Sequence, residues 1–222
     1  MKARQEAVLS KIIDAYLSTA QPVGSKILAE EQGLEFSSAT IRNEMAVLEK
    51  EGLIVQPHTS AGRIPTIKGI EYYLEHLMKP QPLRHDEEQR LMGMFQRSGL
   101  KGLARMTAEY CHSACILVVN LSEFYYTGFS YLFAQPEFEN ATLVHEIGVA
   151  IDSFESALPH FIERGLTEKP RIFLGDRNPL GHDCSATLVA KKGDRTVLGL
   201  LSPIRTDYRK NVGLLRAISQ YL

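Results

Sequence analysis

Apolar residues recur at helical spacing through Val8, Leu9, Ile12, Ile13, Tyr16 and Leu17, which predicts a first helix with one buried face. Pro22-Val23-Gly24-Ser25 then turns the chain, and Ser25 is placed to cap a short second helix through Ile27, Leu28 and Glu31. Ile41, Met45 and Leu48 mark a third helix. Ser37 suits its N-cap, and Phe36 with Ile41 has the spacing of a hydrophobic staple. At ~100° per residue, its opposite face carries Ala39, Asn43 and Ala46, flanked by Thr40 and Arg42. Gly52 is a plausible C-cap. Two strand-like runs, Leu53 to Val55 and Ile64 to Thr66, bracket the polar loop Gln56 to Arg63. Thr66 can cap a fourth helix carrying Ile67, Ile70, Tyr73, Leu74 and Leu77.

Helix, short helix, helix and hairpin follow one another as in a winged helix-turn-helix, which presents a recognition helix and a wing to duplex DNA. The third helix alone reads equally well as an ordinary amphipathic helix with a polar outer face. Its residue types nonetheless fit base edges: Asn43 can pair with adenine, Arg42 with guanine or a phosphate, and Thr40 or Ala39 can touch a thymine methyl. A loop of Ser, Gly, His and Arg between two strands suits phosphate or minor-groove contact. The candidate DNA-binding residues are therefore Ser37, Ser38, Thr40, Arg42 and Asn43 on the helix, with His58, Thr59, Ser60 and Arg63 in the wing.

Beyond Lys79 the pattern changes. Pro80-Gln81-Pro82 reads as a stiff linker. Asp86 opens a helix with Leu91, Met94 and Phe95, and Leu100, Leu103, Thr107 and Tyr110 predict another. Ile116 to Val119 and Tyr125 to Phe133 are strand-like, Val144 to Arg164 is mainly helical, and Arg171 to Leu174 is a strand. Two further runs, Ala186 to Ala190 and Thr196 to Leu201, flank a hairpin signal at Lys191 to Arg195. Asp207 caps a last helix through Val212, Leu215, Ile218 and Leu222. The expected fold class is α+β: an N-terminal winged helix-turn-helix domain followed by a GAF-like α+β domain with an antiparallel sheet. The expected boundaries are 1–79 for DNA binding, 80–110 for a linker and connecting helices, and 111–222 for a regulatory domain.

The strings PVGSKILAEE (22–31) and SSATIRNEMAVLEKEGLIVQPHTSAGRIPT (37–66) closely resemble the HrcA-type heat-inducible transcription repressors of bacteria. YLFAQPEF (131–138), LGDRN (174–178) and GLLSPIRTDY (199–208) look like that family's later signatures. The resemblance implies a homodimer that binds an inverted-repeat operator, the CIRCE element, in double-stranded DNA upstream of chaperone genes. It also implies that repression depends on the chaperonin. Between Leu103 and Phe129 the chain is much shorter than the family pattern, so the inserted dimerisation domain is expected to be absent and no dimer interface carries over.

Composition sharpens this picture. Formal net charge over 222 residues is −1, and the first 80 residues carry nine Lys or Arg against ten Asp or Glu. That balance argues against a non-specific DNA coat and fits a reader relying on few residues, with Glu30, Glu31, Glu35 and Glu51 turned away from DNA. No apolar run reaches the ~18 residues of a membrane span, and charges at Lys2, Arg4 and Glu6 disfavour a signal peptide. Three cysteines, an odd number, point to a reducing compartment and a cytoplasmic chain. Cys111 and Cys115, with His182 and Cys184, have a possible zinc spacing, and a Cys nucleophile with His112 or His145 is conceivable. Buried small hydrophobes explain these cysteines better, so no metal, cofactor or catalytic residue is expected. Two other functions stay open: a metabolite-responsive winged-helix regulator whose C-terminal sheet binds an effector, and an enzyme fused to a winged helix used for protein contacts.

Overall fold

The structure is a computed structural model and describes residues 1–30, 34–59, 61–120, 122–191 and 196–222. The chain divides into two compact units, Met1–Lys79 and Pro80–Leu222. Mixed helices and antiparallel sheet make it an α+β protein.

The first unit begins with α1 (Ala3–Thr19), whose Val8, Leu9, Ile12 and Ile13 are fully buried. α2 (Ser25–Glu30) and α3 (Ser38–Lys50) pack on it, joined by buried Leu28, Ile41, Met45 and Leu48. Ser25 does not cap α2. The Leu28 N–H bonds to the Gly24 carbonyl, and the Ser25 hydroxyl lies 3.0 Å from that of Ser38. β1 (Ile54–Val55) pairs antiparallel with β2 (Ile64–Pro65), and a bridge between Val23 and Arg63 adds a third segment. α4 (Ile67–Tyr72) is capped by Thr66, which accepts from the Gly69 N–H at 3.1 Å, and runs into a wider turn over Tyr73–Leu77. Two tyrosine hydroxyls tie this segment to α1: Tyr72 donates to Glu6 at 2.8 Å and Tyr73 to Asp14 at 2.7 Å.

The second unit is a five-stranded antiparallel sheet, order β4-β3-β7-β6-β5. Its strands are β3 (Ala114–Val119), β4 (Glu123–Thr127), β5 (Arg171–Phe173), β6 (Cys184–Ala190) and β7 (Val197–Pro203). The central strands are apolar without alternation because both of their faces are covered. Ala114, Ile116 and Val118 face one core, with α6 (Phe129–Phe133), α7 (Ala141–Asp152) and α8 (Phe154–Glu163) above it. Cys115 and Leu117 face the other, under α5 (His85–Cys111) and α9 (Tyr208–Ile218).

Two expectations change. Residues 80–110 are not a free-standing connector: the Gln81 N–H donates to the Arg209 carbonyl at 3.0 Å, and α5 supplies Leu91, Leu103, Ala104 and Ala108 to the second core. α5 folds back on itself at Gly99, whose φ of 56° is open to glycine at little cost. A straight helix would separate residues 87 and 110 by roughly 35 Å, yet the Tyr110 hydroxyl donates to Glu87 at 2.8 Å. Tyr125 to Phe133 is not one strand, since the Gly128 carbonyl accepts from Tyr131 and Leu132 and starts α6. The β6–β7 hairpin is present, but Lys192 to Arg195 lie outside the described residues.

Two of the family-like motifs of this unit meet, and their residues make further local contacts. Glu137, from the first motif, pairs with Arg205, from the last. The Asn178 amide donates to the Cys184 carbonyl at 2.9 Å. The Tyr208 hydroxyl donates to the Ile204 carbonyl, and Asn211 donates to Thr206. The Glu137–Arg205 pair is thus a latch between distant segments. No helix among the described residues is long and apolar enough to cross a membrane.

Glycine positions separate two effects. A Cβ at Gly69 would stand 1.9 Å from the Leu53 carbonyl oxygen, whereas one at Gly148 in α7 meets nothing within 4 Å. Gly69→Ala is expected to lose about 1–3 kcal/mol in urea unfolding. Gly148→Ala is expected to gain up to about 1 kcal/mol from helix propensity.

Candidate nucleic-acid interface

The outer face of α3 forms because its inner face is fully committed. Ile41, Met45 and Leu48 are buried, and buried Glu44 accepts from Arg4 Nε at 2.7 Å. Ser37 is the N-cap: its hydroxyl accepts from the Thr40 N–H at 3.2 Å and lies 2.9 Å from Thr40 Oγ1. Ser37, Ser38 and Thr40 thus build and seat the start of α3, while Arg42 and Asn43 are exposed. Neither has an intramolecular side-chain partner among the described residues. Ala39 and Ala46 are exposed beside them, which leaves a low surface over the helix axis.

At its other end α3 is closed by a Schellman arrangement. Gly52, at φ 73°, donates to the Glu49 carbonyl at 2.9 Å, and Leu53 donates to that of Leu48 at 2.9 Å. The chain therefore enters β1 directly under the helix C-terminus.

The loop 56–63 is tied back to α3 through one carboxylate. Glu49 Oε1 accepts from the Gln56 N–H at 3.1 Å, and Glu49 Oε2 meets Arg63 at 3.0 Å from Nη2 and 3.1 Å from Nε. Gln56 in turn donates its amide to the carbonyls of Thr59 (2.9 Å) and Ala61 (3.0 Å). Arg63, expected among the DNA-contacting wing residues, is partly buried and already paired with Glu49. His58 and Thr59 are exposed at the tip, and Ser60 lies outside the described residues. Of the acidic residues, Glu30, Glu35 and Glu51 are exposed, and Glu31 lies outside the described residues.

Two residues escaped the sequence reading. Lys50 is exposed and stands seven residues from Asn43, two helical turns along the same face. That spacing was legible. Glu49 was not, because its partner lies fourteen positions away across a loop.

The cysteines do not form a common site. Cys111 and Cys115 lie in the core on one side of the sheet and Cys184 in the core on the other. Burial pushes Cys111 up to about 12 and Cys184 to about 11, and raises Cys115 well above the ordinary thiol value. Among the described residues no group of three His, Cys, Asp or Glu side chains is placed to hold a metal ion.

A helical head bearing a small hairpin, followed by an antiparallel sheet sheathed in helices, defines a two-unit α+β chain. The family model for the HrcA protein C-terminal domain matches residues 66–212, and the chain belongs to the HrcA family. It is similar to proteins named heat-inducible transcription repressor HrcA. That of Synechococcus elongatus is 47% identical over 112 residues, 49% of this chain and 32% of the relative. That of Acetivibrio thermocellus is 55% identical over 84 residues, 38% and 24%. That of Symbiobacterium thermophilum is 38% identical over 167 residues, 74% and 46%. The chain thus spans less than half the length of these relatives. A crystal structure described as a hypothetical protein shares the fold, with a TM-score of 0.74 at 18% identity over 100% of this chain and 97% of that one.

Two outcomes follow from this geometry. Glu49→Ala should cost no more than about 1 kcal/mol, as expected for a partly exposed pair, yet amide exchange across 56–63 should accelerate several-fold. An aromatic disulfide reagent at pH 8 should find no reactive thiol in the folded chain and all three after denaturation.

Proposed function

We propose that this chain represses heat-shock (chaperone) genes by binding an inverted-repeat operator in duplex DNA as a homodimer. In this reading residues 1–79 are a winged-helix DNA-binding domain and the second unit is a GAF-like regulatory domain. The observation that carries it is the outer face of α3, where Ala39, Asn43, Ala46 and Lys50 are exposed beside Arg42. Family membership adds the regulatory role, the chaperonin as the partner that sets the level of active repressor, and the cytoplasm as its place of action.

Arg42 and Asn43 read base edges, with the alanines permitting close approach to the major-groove floor. Lys50 adds a cation to the same face. Ser37, Ser38 and Thr40 fix the start of the helix and offer hydroxyls to a phosphate. His58, Thr59 and Ser60 are the wing contacts to DNA, while Arg63 acts chiefly by anchoring the loop through Glu49. Total charge contributes little attraction, so affinity rests on these few contacts.

Arg42→Ala or Asn43→Ala should each cost about 1–3 kcal/mol on the cognate operator and much less on unrelated duplexes. Arg63→Ala should weaken both by a similar factor and leave the salt dependence unchanged, because Glu49 already neutralises that guanidinium. Nuclease footprinting on chromosomal DNA, with and without chaperonin, tests the central claim. Protection of an inverted repeat upstream of chaperone genes is expected, and its absence would sink the proposal.

A further inference from the structure

A cavity of about 490 Å³ opens in the second unit between the two limbs of α5 and the start of α9. It exists because α5 doubles back at Gly99. Its volume lies within the range of small-molecule sites. Leu83, Met94, Met106 and Leu214 give it an apolar wall, and Arg90, Arg97 and Lys210 reach it from two helices.

Its charges do not cancel. Glu87 is fully used: it accepts from the Arg84 N–H at 2.8 Å, from Arg84 Nη2 at 3.2 Å and from the Tyr110 hydroxyl at 2.8 Å. These bonds hold its carboxyl below the usual range, the Arg84 backbone bond contributing most. Arg84 is engaged by Glu87 and Asp86. Lys210 Nζ sits 4.1 Å from the centroid of the Tyr110 ring, held by a π face and not by a carboxylate. Arg90 and Arg97 have no carboxylate partner among the described residues. Three cations therefore face the exposed Glu109 alone.

We propose that this cavity binds a small amphiphilic anion, with a carboxylate or phosphate head on the Arg90, Arg97 and Lys210 side and an apolar tail against the methionine and leucine wall. The two arginines stand seven residues apart on one helix face with Met94 between them, so head and tail contacts alternate along a single wall. A guanidinium fork binds either head in two-point fashion. Methionine side chains adapt to tails of differing shape. This site stands on the second unit alone and does not depend on the DNA-binding reading.

The test is an NMR titration of the full chain with octanoate, octyl phosphate, hexanoate, octanol and inorganic phosphate. Octanoate or octyl phosphate should saturate in the low-millimolar range or below and shift amides in 85–111 and 208–214. The tighter of the two identifies the head, and either supports the site. Hexanoate should bind roughly tenfold more weakly than octanoate, and octanol at least about tenfold more weakly. The Arg90→Gln/Arg97→Gln double variant, with an unchanged circular dichroism spectrum, should lose about tenfold or more in affinity. Undiminished binding by that variant overturns the proposal. So does inorganic phosphate binding as tightly as octyl phosphate, or no saturable binding by either amphiphile.

Discussion

The Glu49 carboxylate is the joint on which the first unit's outer surface depends. One oxygen holds the backbone at the start of the loop and the other holds Arg63 at its end, so a single side chain on α3 fixes both ends of the loop. The pair is partly exposed, and its own contribution to stability is small. Its effect is geometric: the loop keeps one orientation relative to the helix face that carries Arg42 and Asn43. Under the proposed function, helix and loop must be presented together. An ion pair of modest strength suffices, because it selects among loop conformations already limited by the Schellman turn at Gly52 and the bridge between Val23 and Arg63.

Local signals were legible in the chain wherever they involved neighbours in sequence. Ser37, Thr66 and Asp207 cap the helices they were expected to cap, each accepting from a backbone N–H within three residues. The apolar faces of α1 and α3 are the buried ones. What escaped was long-range pairing. Nothing local marks Arg63 as the partner of Glu49, and nothing near Pro80-Gln81-Pro82 shows that Arg209 will bind its backbone. The run Tyr125 to Phe133 misled because aromatic content favours a strand in general, whereas the Gly128 turn redirects the second half into a helix. For the candidate site, composition marked Arg63 as a cation but not its pairing with Glu49, since residue type reveals charge and not what already neutralises it.

The second unit shows how a sheet without an alternating pattern is built. β3, β6 and β7 expose neither face, so each needs a helical layer on both sides. α5 and α9 supply one layer, and α6, α7 and α8 supply the other. The Glu137–Arg205 pair and the Asn178 contact tie these covering segments to the strand ends. Two of the resemblance motifs here thus meet where the covering is fastened.

The placement of the three cysteines has a consequence for their own chemistry. Their sulfurs sit inside two separate apolar layers, and none is held as a thiolate. A thiol-directed oxidant finds no exposed cysteine to attack until a layer has already parted. Cysteine oxidation is therefore a consequence of opening and not a cause of it: only a molecule whose layers have parted can record it. Exposed Met92, in contrast, stays open to peroxide in the folded chain.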